Sequence, residues 1–331
     1  MIASGRISYF LRRLLGSIVL LVIVLSVVFI ANRQIGDPAL MVLGVNATEE
    51  DVADMRERMG LNDPFLEQYG RFLKGMATGD LGSSFRYGVN TLVYTGAVSE
   101  EDAPDATATL PIAAERLPAT LLLGGVTIAF SVFVALPLGI YAAVRPRKFG
   151  DRVVTVLSLA GVSIVEYWFA LILILVFAIQ VDWLPTSGYG TAAHLVLPVL
   201  ALSLRPIGRI IQIARSSMLD ELAKPYVTAA RGRGIPVQKI ASVHALKNAA
   251  IPIVTTIGDE TATVVTGVII IETVFGWPGI GALTVDALKI RDVPLIEATV
   301  FLLVVMVLTI NLIVDLLYTV LSPRVRLGQQ S

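Results

Sequence analysis

The sequence predicts an all-α integral membrane protein with six transmembrane helices, on three observations. Of its 331 residues 55% are hydrophobic and 16% charged, with a mean hydropathy of +0.76. Soluble domains run at about 45–50% apolar and about 25% charged, so this chain cannot clothe itself against water and must take lipid as its main solvent. Six apolar segments stand at 14–31, 117–143, 153–181, 194–218, 252–275 and 297–321. Each approaches or passes the ~20 residues that cross ~30 Å of hydrocarbon. The third observation is the basic residues. With the N-terminus cytoplasmic, 17 of the 26 Lys and Arg fall on the cytoplasmic side, mostly in short loops. An even number of spans then returns the C-terminus to the same side.

The first apolar segment follows Arg6, Arg12 and Arg13 and is followed by Asn-Arg-Gln. It is longer than a signal-peptide core and lacks a small-residue cleavage site, which reads as a retained helix. Residues 1–116 pair this helix with a long polar segment expected on the extracytoplasmic side; residues 117–331 form a five-helix core. Within the polar segment Thr48-x-x-Asp51 reads as a capping box opening a short helix that ends near Gly60. A second helix should start at Asn62-Asp63-Pro64 and stop at Gly79-Asp80-Leu81-Gly82. The stretch 96–109, acidic and rich in small residues, reads as a loop. The 194–218 segment carries Arg205, Arg209 and Arg215 in its second half, which suggests a helix leaving the bilayer.

Composition also excludes chemistry. There is no cysteine, and the two histidines, His194 and His244, form no HExxH pattern, so neither a thiolate nor a metal centre is expected. No GxxxxGK[ST] loop is present to cradle ATP, and no GxSxG elbow to present a nucleophile. No catalytic residue can be named, and zero net charge offers no argument for nucleic acid.

The polar loop 218–250 is the most informative stretch. Pro225 suits the first turn of a helix, where its missing N–H costs nothing. Tyr226, Thr228, Ala229, Ala230, Arg231 and Arg233 would form about two turns, ended by Gly234. Charge alone makes this a solvated basic loop. The order of residues says more, because Ala229-Ala230-x-x-x-Gly234 resembles the EAA motif of ABC-importer permeases, with Thr228 at the glutamate position.

The resemblance runs along nearly the whole chain. Residues 60–85 are similar to the extracellular segment of the first permease of dipeptide and oligopeptide importers. The run 116–120 resembles the start of that family's second helix, 183–190 its outer loop between helices three and four, and 272–281 the signature after helix five. Asp315-Leu316-Leu317-Tyr318, with Pro323-Arg324-Val325-Arg326, matches its ending. Taken together these resemblances imply the type I ABC-importer permease fold in the cell inner membrane. They imply a second permease, two ATP-binding subunits that carry ATP and magnesium, and an extracytoplasmic solute-binding protein. The 218–250 loop would dock into an ATP-binding subunit, and the polar N-terminal segment would help to receive the binding protein. Glu272, Trp277 and Pro278, within the signature, would serve helix packing or an outer gate. The implied cargo is di- or oligopeptides; relatives also carry nickel chelates, glutathione or oligosaccharides.

Two places depart from the family pattern. Asp259 and Glu260 lie inside the fifth span and Glu166 inside the third. An intramembrane carboxylate is expensive and faces a cavity or a partner. These three therefore read either as a translocation path for a cationic or amine-bearing solute, or as acids paired in the second permease. A proton-coupled secondary transporter would use Glu166, Asp259, Glu260 and Asp315 as a relay, but no inverted repeat is visible and the EAA-like loop would have no purpose.

Overall fold

The computed structural model describes residues 2–34, 39, 48–58, 60–84 and 107–321. The 96–106 part of the acidic stretch and the 323–326 ending lie outside the described residues. The chain divides into two compact units that are not continuous in sequence: Met1–Ala119 with Pro278–Leu308, and Thr120–Trp277 with Thr309–Ser331.

In the first unit α1 spans Ile2–Gln34. Helix α2, Glu49–Arg58, opens on the capping box: Thr48 N–H donates to Asp51 Oδ2 at 3.1 Å and Asp51 N–H donates to Thr48 Oγ1 at 3.2 Å. Those bonds hold the Asp51 carboxyl below its usual range. Helix α3, Phe65–Thr78, follows Pro64 and ends at Gly79, whose φ of 79° is the left-handed cap that glycine tolerates. Phe29 of α1 packs on Phe72 and Tyr69 of α3, with centroids 4.7 and 5.5 Å away, and Ser26 bonds Tyr69 Oη at 2.7 Å. A two-residue antiparallel pair joins β1 (Ser83–Ser84) to β2 (Thr107–Ala108), immediately before α4, Thr109–Val144. Ser84 Oγ donates to the buried Asp292, which also caps the start of the last helix through Leu295 N–H.

In the second unit the third apolar segment is two helices, α5 (Phe149–Ser163) and α6 (Glu166–Leu173), extended by π-helical winding over Ile174–Gln180. They are bent by 103° at Ile164–Val165, where a single span over 153–181 was expected. No proline or glycine sits at the break. Two β-branched residues take extended backbone there, and Ser163 Oγ donates back to the Leu159 carbonyl. Helix α7, Ala192–Leu222, passes through Pro198 and Pro206 without ending. Membrane helices tolerate such prolines because neighbours satisfy the freed carbonyls. Gly208 of α7 lies against the Ser158 carbonyl, and Gly161 of α5 against that of Leu204. A side chain at either glycine would force the two helices apart, a small-residue contact of the kind that brings membrane helices together.

After α7 come α8 (Pro225–Gly232), a turn at Val237–Lys239, a π-helical stretch Ile240–Ala245, and α9 (Leu246–Val274). Helix α10 is Ile280–Ile290 and α11 is Val293–Leu321. Among the described residues five helical stretches are long and apolar enough to cross a membrane, and the bent α5–α6 pair makes up to six.

Candidate functional site

Helix α8 is anchored on one side and open on the other. Lys224 precedes it in extended conformation and Pro225 occupies its first turn. Val227 is 1% exposed and Tyr226 and Ala230 are half-buried, whereas Thr228, Ala229, Arg231, Gly232 and Arg233 face outward. The outward face therefore combines small side chains with two guanidinium groups. Gly234 has φ of 76°; its N–H donates to the Arg231 carbonyl at 2.9 Å, and Ile235 N–H donates to Ala230 at 3.3 Å. This pair of bonds is the Schellman closure of a helix. Nothing stands within 4 Å of where a Gly234 side chain would begin, so backbone conformation, not crowding, calls for glycine here.

Below this helix lies a polar knot. Glu221, 8% exposed at the end of α7, accepts Lys224 Nζ on Oε1 and the Tyr226 hydroxyl on Oε2 at 3.0 Å. Asn248 Nδ2, in the first turns of α9, reaches Tyr226 Oη at 3.5 Å. The bond to Glu221 holds the Lys224 ammonium above its usual pKa, and burial pushes the Tyr226 phenol up. Six residues earlier, Arg215 binds the buried Asp151 through Nε and through Nη2 (2.9 Å), and Arg147 N–H donates to the same carboxylate at 2.7 Å. Arg215, read from sequence as the sign of a helix leaving the bilayer, thus ties the start of α5 to α7. Glu221 and Asp151 were both missed from sequence, because each stands in an ordinary polar stretch between apolar segments, and only the fold shows that it is buried and paired there.

The intramembrane acids separate. Asp259 is exposed, whereas Glu260 is 4% exposed and 3.6 Å from Arg209 Nε through Oε1. Its Oε2 has no hydrogen-bond partner among the described residues. Glu166 is the first residue of α6, directly after the bend, with its Oε2 against Gly267 of α9. Arg205 acts electrostatically on both Glu166 and Glu260. The structure thus gathers Glu166, Glu260, Arg205 and Arg209 and leaves Asp259 outside; the arginines were legible as charges but not as partners.

The signature residues hold one end of the second unit. Glu272, fully buried, accepts the Thr120 hydroxyl at 2.6 Å, and its carbonyl accepts Trp277 N–H at 2.8 Å. Tyr189 meets the buried Trp277 edge to face at 4.7 Å, and Gly188 N–H donates to the Phe275 carbonyl at 3.0 Å. Pro278 follows, half-buried, at the boundary of the two units. Among the described residues no group of three His, Cys, Asp or Glu side chains could hold a metal ion.

Several apolar helices of spanning length, two of them joined through an exposed and firmly capped short helix, define a multi-span membrane protein. The comparisons place it more narrowly. Residues 135–327 match the family described as binding-protein-dependent transport system inner membrane component, and residues 6–124 match its N-terminal companion. A probable peptide ABC transporter permease protein, y4tP, of Sinorhizobium fredii is 38% identical over 327 residues, covering 96% of this chain and 99% of the relative. The glutathione transport system permease protein GsiC of Salmonella paratyphi A is 34% identical, covering 97% and 99%. The dipeptide transport system permease protein DppB of Alkalihalophilus pseudofirmus is 32% identical with the same coverage. A solved structure of the MetNI methionine ABC transporter in an inward-facing conformation aligns with a TM-score of 0.51 at 18% identity, over 63% of this chain and 95% of that one. That likeness speaks for the fold. The chain belongs to the binding-protein-dependent transport system inner membrane component family and is a transmembrane permease subunit of an ABC importer of the type I fold.

Proposed function

We propose that this permease carries di- or oligopeptides, glutathione-like tripeptides included, handed over by an extracytoplasmic solute-binding protein. The observation that carries this reading is near-full-length similarity to permeases named for peptide, dipeptide and glutathione transport. It works beside a second permease in the cell inner membrane with both termini cytoplasmic, and two separate subunits bind ATP and magnesium and hydrolyse the nucleotide.

Helix α8 is the coupling element. Its outward face of Thr228, Ala229, Arg231 and Arg233 fits a groove on an ATP-binding subunit, with Tyr226 and Ala230 at its inner edge and Gly234 closing it. ATP drives the cycle because it binds the closed arrangement of its subunits better than the open one, and docked helices convert that preference into a change of access. Glu166 and Glu260 line the solute's route with Asp259 beside them, while Glu272, Trp277 and Pro278 brace its outer end.

The test is affinity purification of this chain in mild detergent from its native membrane, with an ATPase assay and uptake of alanyl-alanine. Co-purified P-loop subunits, vanadate-sensitive hydrolysis and dipeptide-competed uptake are expected. A chain that purifies alone from cells whose uptake collapses with an uncoupler would overturn the reading in favour of a proton relay.

A further inference from the structure

Beyond the surface of α8, the structure singles out the residue beneath it. We propose that Glu221 is the positioning residue that makes α8, the end of α7 and the start of α9 move as one body; this rests on the reading of α8 as the coupling element. A helix of eight residues is too short to be stable by itself and transmits displacement only as rigidly as it is fastened. Three fastenings are visible: the buried Val227, the Schellman closure, and the Glu221 carboxylate.

Only the third joins three elements. Glu221 sits in the last turn of α7, its two oxygens hold Lys224 and Tyr226 at the entry to α8, and Tyr226 passes the contact to Asn248 of α9. The carboxylate is buried and both oxygens are used, so any tilt of α8 away from α7 would leave a buried carboxylate oxygen without its donor. That cost makes the joint stiff. Met218 and Ala214 of α7 also pack with Ala241, Ala245 and Ala249 in one buried apolar cluster, which ties the end of α7 to the start of α9 a second time. A displacement of α8 is therefore carried into α7, the helix that also bears Arg205 and Arg209.

The experiment uses the whole importer in lipid nanodiscs, with spin labels on cysteines at Gly232 of α8 and Ser216 of α7, both exposed in a chain without native cysteine. One narrow distance is expected, unchanged between the nucleotide-free and ATP–vanadate states. E221A should lose that narrow distance. Y226F should do likewise, although it deletes a single oxygen and leaves the fold intact. E221Q, which can still accept the tyrosine hydroxyl, should restore it. A distance equally narrow in wild type, E221A and Y226F would overturn the proposal. The underlying reading is tested apart from this: if A229W still assembles with its ATP-binding subunits and couples normally, α8 is not the docking element, whatever its rigidity.

Discussion

Two charged regions of the second unit contrast. At the junction of α7 with α5 and α8, every oxygen of Asp151 and Glu221 has a hydrogen-bond partner. Inside the spans, Glu260 meets Arg209 at 3.6 Å with one oxygen, and its other oxygen has no hydrogen-bond partner among the described residues. A fully paired buried carboxylate fixes geometry. A half-paired one costs free energy without doing so, and the proposed route of the solute would give it a use. Structure therefore divides the acids of this chain into fasteners and candidates for contact with solute.

The contrast can be broken where the effect is largest. D151A leaves the Arg215 guanidinium and the Arg147 N–H without their acceptor and should destabilise the detergent-purified subunit by about 2–3 kcal/mol. An unchanged melting temperature would mean the pair fastens nothing. G234V comes next. A β-branched residue in the left-handed region costs about 1–2 kcal/mol, and the distorted cap should uncouple ATP hydrolysis from uptake while the subunit remains in the membrane. Normal coupled transport in G234V would count against α8 as the docking helix.

E260L should behave in the opposite sense from D151A. Replacing an under-paired carboxylate by an apolar side chain is expected to leave thermal stability unchanged or slightly raised, while solute uptake falls. Loss of stability with uptake retained would make Glu260 a fastener after all. The smallest effect is expected at the exposed Thr48–Asp51 cap. Its hydrogen bonds lower the folded-state pKa of Asp51, so their stabilisation is present above the ordinary Asp value and fades as pH falls through the lowered one. The protection factors of the α2 amides, each taken against the intrinsic exchange rate at the same pH, should stay constant from neutral pH to the ordinary Asp range and fall below it, and T48A should abolish that fall.

Much was legible in advance where the cause is local. Gly79 and Gly234 mark helix ends because only glycine takes positive φ cheaply, and Thr48 with Asp51 marks a helix start because its side chains reach its own backbone. The bend at Ile164–Val165 was not legible, because it carries no proline or glycine and its apolar residues continue the hydrophobic run. Among the site residues, the face of α8 could be read from the order of small and basic side chains, whereas Glu221 could not. Nothing in a carboxylate's own sequence context says that a tyrosine five residues on will bond it and in turn meet an asparagine of the next long helix.

By itself the sequence determined that this is a helical membrane protein, how many apolar segments it has, and which family it resembles. Those properties follow from composition, segment length and ordered motifs, and each is a sum over neighbouring residues. Only the tertiary structure decided that Arg215 fastens α5 to α7, that Glu260 and not Asp259 is buried beside Arg209, and that Glu221 ties three helices together. The physical reason is that the fate of a charge in a low-dielectric interior depends on what lies within a few ångströms, and those neighbours come from distant parts of the chain.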